Sequence, residues 1–154
     1  MTDKPYRYTE CGLNYIYLLD GYQILNSARG RIIRVTNAGK LDRAIALAIV
    51  RRQKQLTGQE VRFLRGLLDM TQEALGRTLG VDAKTVATWE RGKTKLPSTE
   101  DIAIRQIYLE LTMHRQKFVE TSRKIRGLGE RAKRFTFRAS ARPNVKALAW
   151  LMVS

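Results

Sequence analysis

The stretch Met70–Lys93 constrains the fold most, because its glycines and capping residues leave room for two short helices and little else. Thr71 is suited to cap one helix, and Gly80 supplies the left-handed position that closes it. Asp82 caps the next, and Gly92 ends it. Leu75 and Leu79, spaced i, i+4, form the inner face of the first. Val86 and Trp89, spaced i, i+3, form that of the second, and Val81 fills the turn. Gly76 is small where the two helices must approach closely. Ala83, Lys84, Thr85, Thr88 and Arg91 remain for the outer face. A face that is small, polar or basic can enter the major groove of DNA.

Charge supports a polyanionic partner. The 154 residues carry 29 Lys and Arg against 14 Asp and Glu, a net +15. The excess is uneven. Residues 1–56 hold 10 basic and 4 acidic side chains, residues 57–114 hold 8 of each, and residues 115–154 hold 11 and 2. The sequence therefore predicts three parts: a small N-terminal α+β element over 1–56, a helix-turn-helix unit over 57–114, and a basic extension over 115–154 that forms strands and dimerises. Basic flanks around a neutral middle read as faces that meet phosphate. The longest apolar runs, Ala44–Val50 and Ala147–Val153, fall short of the roughly 20 residues a membrane helix needs. Residues 1–20 show no basic-then-apolar leader, and the lone Cys11 allows no internal disulfide.

Residues 1–10 lack periodicity and read as loose. Tyr15–Leu19 and Tyr22–Leu25 flank Asp20-Gly21, which predicts a hairpin, with Arg31–Val35 as a third strand. Asn37 is placed to cap a helix bearing Leu41, Ile45 and Ile49, widened by Ala44 and Ala48. Thr57-Gly-Gln-Glu60 is a capping box ahead of Val61, Leu64, Leu67 and Leu68. Pro97-Ser98 opens a long helix offering Ile102, Ile107, Leu109 and Leu111 for burial and running past Phe118 and Val119 toward Gly127. Phe135–Phe137 alternates as a strand would. Tyr6, Tyr8, Tyr15, Tyr17 and Tyr22 read as a hairpin face and dimer core, Cys11 as a small strand-edge residue, and His114 as a surface residue.

The block resembles the Xre/Cro-type helix-turn-helix of phage and bacterial repressors, through Thr71-Gln72, Leu79-Gly80-Val81 and Trp89-Glu90-Arg91-Gly92-Lys93. The likeness covers about residues 57–112. It implies a mainly α, lambda-repressor-like bundle, dimeric, whose third helix reads DNA. By position, Thr71 and Gln72 stand at the phosphate-binding start of helix two. Ala83, Lys84 and Thr88 face the base edges, Arg91 and Lys93 meet the backbone, and Thr85 stands with them on the DNA-binding face. Gly76 departs from the alanine usual there. Residues 8–25, with Tyr8-Thr-Glu-Cys-Gly-Leu13 and Gly21-Tyr22, also resemble MqsA-type antitoxin-like regulators. Those that bind zinc use paired CxxC motifs, and one Cys with the distant His114 cannot form such a site.

These observations together predict a cytoplasmic, nucleoid-associated repressor that binds an inverted-repeat operator in double-stranded DNA as a homodimer, with no cofactor, no metal and no membrane partner. The alternative is an antitoxin that holds a partner toxin and regulates its own promoter. An RNA-binding role for the Arg-rich tail is a third reading. With one His, one Cys and no Gly-rich phosphate loop, the chain does not read as an enzyme.

Overall fold

The structure is a computed structural model and describes residues 5–126, with side chains to residue 121. The expected strands at Phe135–Phe137 and Ala147–Val153, and most of the basic extension, lie outside the described residues. Two compact units divide between Gln53 and Lys54.

The first unit contains β1 (Tyr6–Arg7), β2 (Tyr17–Leu18), β3 (Tyr22–Ser27), β4 (Gly30–Val35) and α1 (Ala38–Arg51). Its strands correct two expectations. Residues 1–10 are not uniformly loose: Tyr6 and Arg7 pair antiparallel with Leu18 and Tyr17, and Tyr8 is buried. Asp20-Gly21 does not close a hairpin either. A type I′ turn needs positive φ at both residues, and only Gly21 has it, at 76°. The pair instead separates two sheets, β1-β2 and β3-β4. The true hairpin turns at Ala28-Arg29, where Ser27 Oγ accepts from Arg29 N and Gly30 takes φ 120°. Tyr6 and Tyr22 rings lie 5.2 Å apart.

Asn37 stands at the N-cap of α1 but in the left-handed region, without a side-chain cap bond. The buried face of α1 is Ile45, Ala46, Ile49 and Val50, so Ala46 and Val50 take the part expected of Ala44 and Ala48. The Tyr8 hydroxyl donates to Asp42 Oδ1 at 3.3 Å. Burial raises the Asp42 carboxyl above its ordinary pKa, and burial beside Asp42 raises the Tyr8 phenol.

The second unit contains α2 (Gly58–Leu67), α3 (Gln72–Leu79), α4 (Ala83–Glu90) and α5 (Ser98–Arg126). The described chain is thus mainly α with a small N-terminal β element. Thr57 forms a full capping box: its hydroxyl accepts from Glu60 N, and Glu60 Oε2 accepts from Thr57 N at 2.8 Å. The core gathers Val61, Phe63, Leu64, Leu75, Val86 and Trp89 with Ile104 and Tyr108 of α5. Ile102 and Leu111 are exposed, contrary to expectation. The reason is polar. Asp101 faces inward, accepting from Leu56 N at 2.7 Å and from Arg105 Nε at 2.9 Å, while Arg105 Nη2 donates to the Lys54 carbonyl at 2.6 Å. Those bonds turn the 101/104/105/108 face toward the bundle. Residues 115–126 continue α5, the run past Phe118 and Val119 toward Gly127 that the sequence predicts.

Candidate nucleic-acid interface

α3 and α4 are joined by the tight turn at Gly80-Val81. Thr71 caps α3 by accepting from Ala74 N at 3.0 Å. Gly80 closes it at φ 74°, a conformation that favours glycine. Asp82 Oδ1 accepts from Thr85 N at 2.6 Å and starts α4. That bond to Thr85, which strengthens with negative charge, lowers the Asp82 carboxyl below its ordinary pKa.

Gly76 explains how the two helices meet. A Cβ built there would lie 2.6 Å from the Val81 carbonyl oxygen, inside any real contact, and Val81 N donates to Gly76 O at 2.9 Å. Gly58 plays the same part between α2 and the end of α4, because a Cβ on it would collide with the Trp89 carbonyl oxygen.

A buried charge cluster then fixes the orientation of α4. Glu90 is 8 % exposed. Arg65 of α2 grips it with two bonds, Nε to Oε1 at 2.6 Å and Nη2 to Oε2 at 3.1 Å, and also donates from Nη1 to the Met70 carbonyl at 2.7 Å. Gln72 Nε2 donates to Glu90 Oε2 at 2.8 Å. One carboxylate therefore links α2, α3 and α4. Nothing local marks Arg65, since its partner lies 25 positions away.

With Val86, Trp89 and Glu90 turned inward, the 100° step of a helix puts Lys84, Thr88 and Arg91 on the opposite side, and Ala83 and Thr85 on its flanks. Lys84 and Arg91 are exposed; Ala83, Thr85 and Thr88 are half-buried. Thr88 Oγ1 donates to the Lys84 carbonyl at 2.6 Å, so toward a ligand it offers lone pairs and a methyl group. Arg91 Nε donates to Ala87 O at 3.0 Å, laying the guanidinium along the helix end. Lys93 follows Gly92, which has φ 66°, with its backbone tied to Thr88 O. Thr71 is exposed beside the start of α3. Gln72 is held by Glu90, and its amide nitrogen carries a second hydrogen for another acceptor.

Among the described residues no three metal-ligating side chains cluster, and no helix is long and apolar enough to cross a membrane. No curated protein and no solved structure gives a significant match to the chain. Residues 61–103 match the family model described as helix-turn-helix. That segment spans the body of α2, both helices around the turn and the start of α5. The second unit thus carries a helix-turn-helix of the Xre/Cro type, the DNA-binding module of transcription regulators.

Proposed function

We propose that the protein is a sequence-specific repressor that binds an inverted-repeat operator as a homodimer, with α4 in the major groove. The observation that carries this reading is the division of α4 into two faces. One is locked inward by Trp89 and the Arg65–Glu90 pair; the other presents Lys84, Thr88 and Arg91. Lys84 and Thr88, with Ala83 and Thr85 at the flanks, contact base edges. Thr71, Gln72, Arg91 and Lys93 bind phosphates and set the register. Two copies place their α4 helices about 34 Å apart, one turn of DNA. Repression follows from occluding a promoter in the compartment that holds the DNA.

The balanced charge of residues 57–114 makes the basic flanks the main source of nonspecific affinity. The antitoxin alternative has its support in the likeness of residues 8–25 to antitoxin-like regulators. A small toxin-like reading frame beside the gene would favour it. A hydroxyl-radical footprint on DNA upstream of the protein's own gene tests the primary reading. Two protected patches about ten base pairs apart, related by a twofold axis, are expected. Uniform weak protection at every concentration would contradict it.

A further inference from the structure

The β3–β4 hairpin carries positive charge that its own surroundings do not answer. From Gly21 to Leu41 the chain has no acidic residue and four basic ones, Arg29, Arg31, Arg34 and Lys40. Arg29 lies in the turn, and Arg31 stands opposite Asn26 beside it. Among the described residues no acceptor holds the guanidinium of Arg29, Arg31 or Arg34.

The turn end also stands clear of its unit. Each six-residue strand runs about 20 Å. Tyr22, Ile33 and Val35, half-buried on one face, hold the open end, while residues 23–32 are exposed without interruption. A polar, cationic tip is thus offered to solvent by a rigid support.

Charge selects the occupant. A second copy on this hairpin would set arginine against arginine, and like charges across strands repel. A polyanion is the complement. Residue type narrows the choice. Charge that only guards an open strand edge is well served by lysine, yet all three hairpin cations are arginine. Arginine sheds water more readily and suits the narrow, strongly negative minor groove of A·T tracts. Shape agrees. A ribbon lying flat in the major groove needs a free polar face. Here one face is half-buried at its base, and the other centres on the Leu25–Ile32 pair, 38 % and 52 % exposed. Two strands with their side chains are too wide for a minor groove about 6 Å across, so only side chains from the turn end reach into it.

We propose that the turn end of the β3–β4 hairpin is a second DNA-binding site, whose ligand is the minor groove of A·T-rich duplex and whose inserted side chains are Arg29 and Arg31. The inference rests on the DNA-binding reading above and adds a contact that α4 does not make.

The test is the affinity of the full chain for a duplex of A·T pairs only and for one of G·C pairs only, across a range of salt. Wild type is expected to prefer the A·T duplex at least ~5-fold. Arg29→Ala/Arg31→Ala is expected to lose that preference and to reduce the salt slope by roughly 1–2. Arg29→Lys/Arg31→Lys is expected to keep the slope and lose most of the preference. Arg43→Ala/Arg51→Ala removes the same charge from exposed positions of α1 and is expected to leave the preference unchanged. A wild type without preference overturns the proposal. So does a preference that survives in either hairpin variant, or one lost equally in the α1 variant. The α4 reading is judged separately, on a duplex selected from a random pool against its scrambled form. Arg29→Ala/Arg31→Ala is expected to keep that discrimination. If wild type shows none, the major-groove reading fails and the hairpin result stands.

Discussion

Arg65 holds Glu90 through two parallel hydrogen bonds, Nε to Oε1 at 2.6 Å and Nη2 to Oε2 at 3.1 Å, with both side chains largely withdrawn from water. The pair binds the end of α4 to α2 and frees the opposite side of α4 for a ligand. Removing one partner of a buried pair leaves the other charge desolvated, at about 3 kcal/mol. Arg65→Ala should therefore lower stability by about that amount in urea unfolding. Gln72→Ala, which removes one bond to the same carboxylate, should cost less than half as much. Equal costs would mean that Gln72 secures Glu90 as firmly as Arg65 does.

Three glycines should respond differently to alanine. Gly58→Ala and Gly76→Ala drive a Cβ into backbone carbonyls of α4 and of the turn, which cannot yield as a flexible side chain would. Each should destabilise by about 2 kcal/mol or more. Gly66 is helical and has nothing within 4 Å of its added Cβ. Gly66→Ala should stabilise by roughly 0.5–1 kcal/mol. Thermal melts of the three variants suffice, and a stable Gly76→Ala protein would refute the close-approach account of the turn.

Asp82 gives the stability of α4 a pH dependence. Its carboxyl is lowered in the folded state by bonds to Thr85. Stability from the ionised cap is then complete above the ordinary carboxylate pKa and is lost as pH falls through the lower folded value. Asp82→Asn keeps a capping oxygen without the charge. The stability difference between wild type and this variant should narrow on acidification from pH 5 to pH 2. A difference independent of pH would show that the charge contributes nothing.

The flanks should govern the response to salt. Each phosphate neutralised adds about 0.9 to the slope of log affinity against log salt. Replacing Arg131, Lys133, Arg134 and Arg138 by glutamine should reduce the slope measured on random duplex DNA by at least ~1. An unchanged slope would exclude the extension from DNA contact.

The residues that start and stop the helices of the second unit were legible because their signals are local. Thr57 with Glu60, Thr71, Gly80, Asp82 and Gly92 each act within four residues of their own position, and the structure places each as the pattern predicts. The strand pairing was not legible. The partner of Tyr6 is Leu18, and Asp20-Gly21 is a hairpin signal that the second residue alone satisfies. Hydropathy also misjudged α5. Ile102 is more apolar than Asp101, but Asp101 meets the backbone of Leu56 and the side chain of Arg105, so the buried face is chosen by polar partners distant in sequence.

The most direct measurement is affinity for a duplex selected from a random pool, compared with a scrambled duplex, for wild type and for Lys84→Ala/Thr88→Ala. Lys84 and Thr88 lie opposite the locked face of α4, and each base contact is worth roughly 1–3 kcal/mol of discrimination. The account predicts that the double variant loses its preference for the selected duplex while its affinity for the scrambled one changes by no more than about threefold. Equal losses on both duplexes, or none on either, would contradict it.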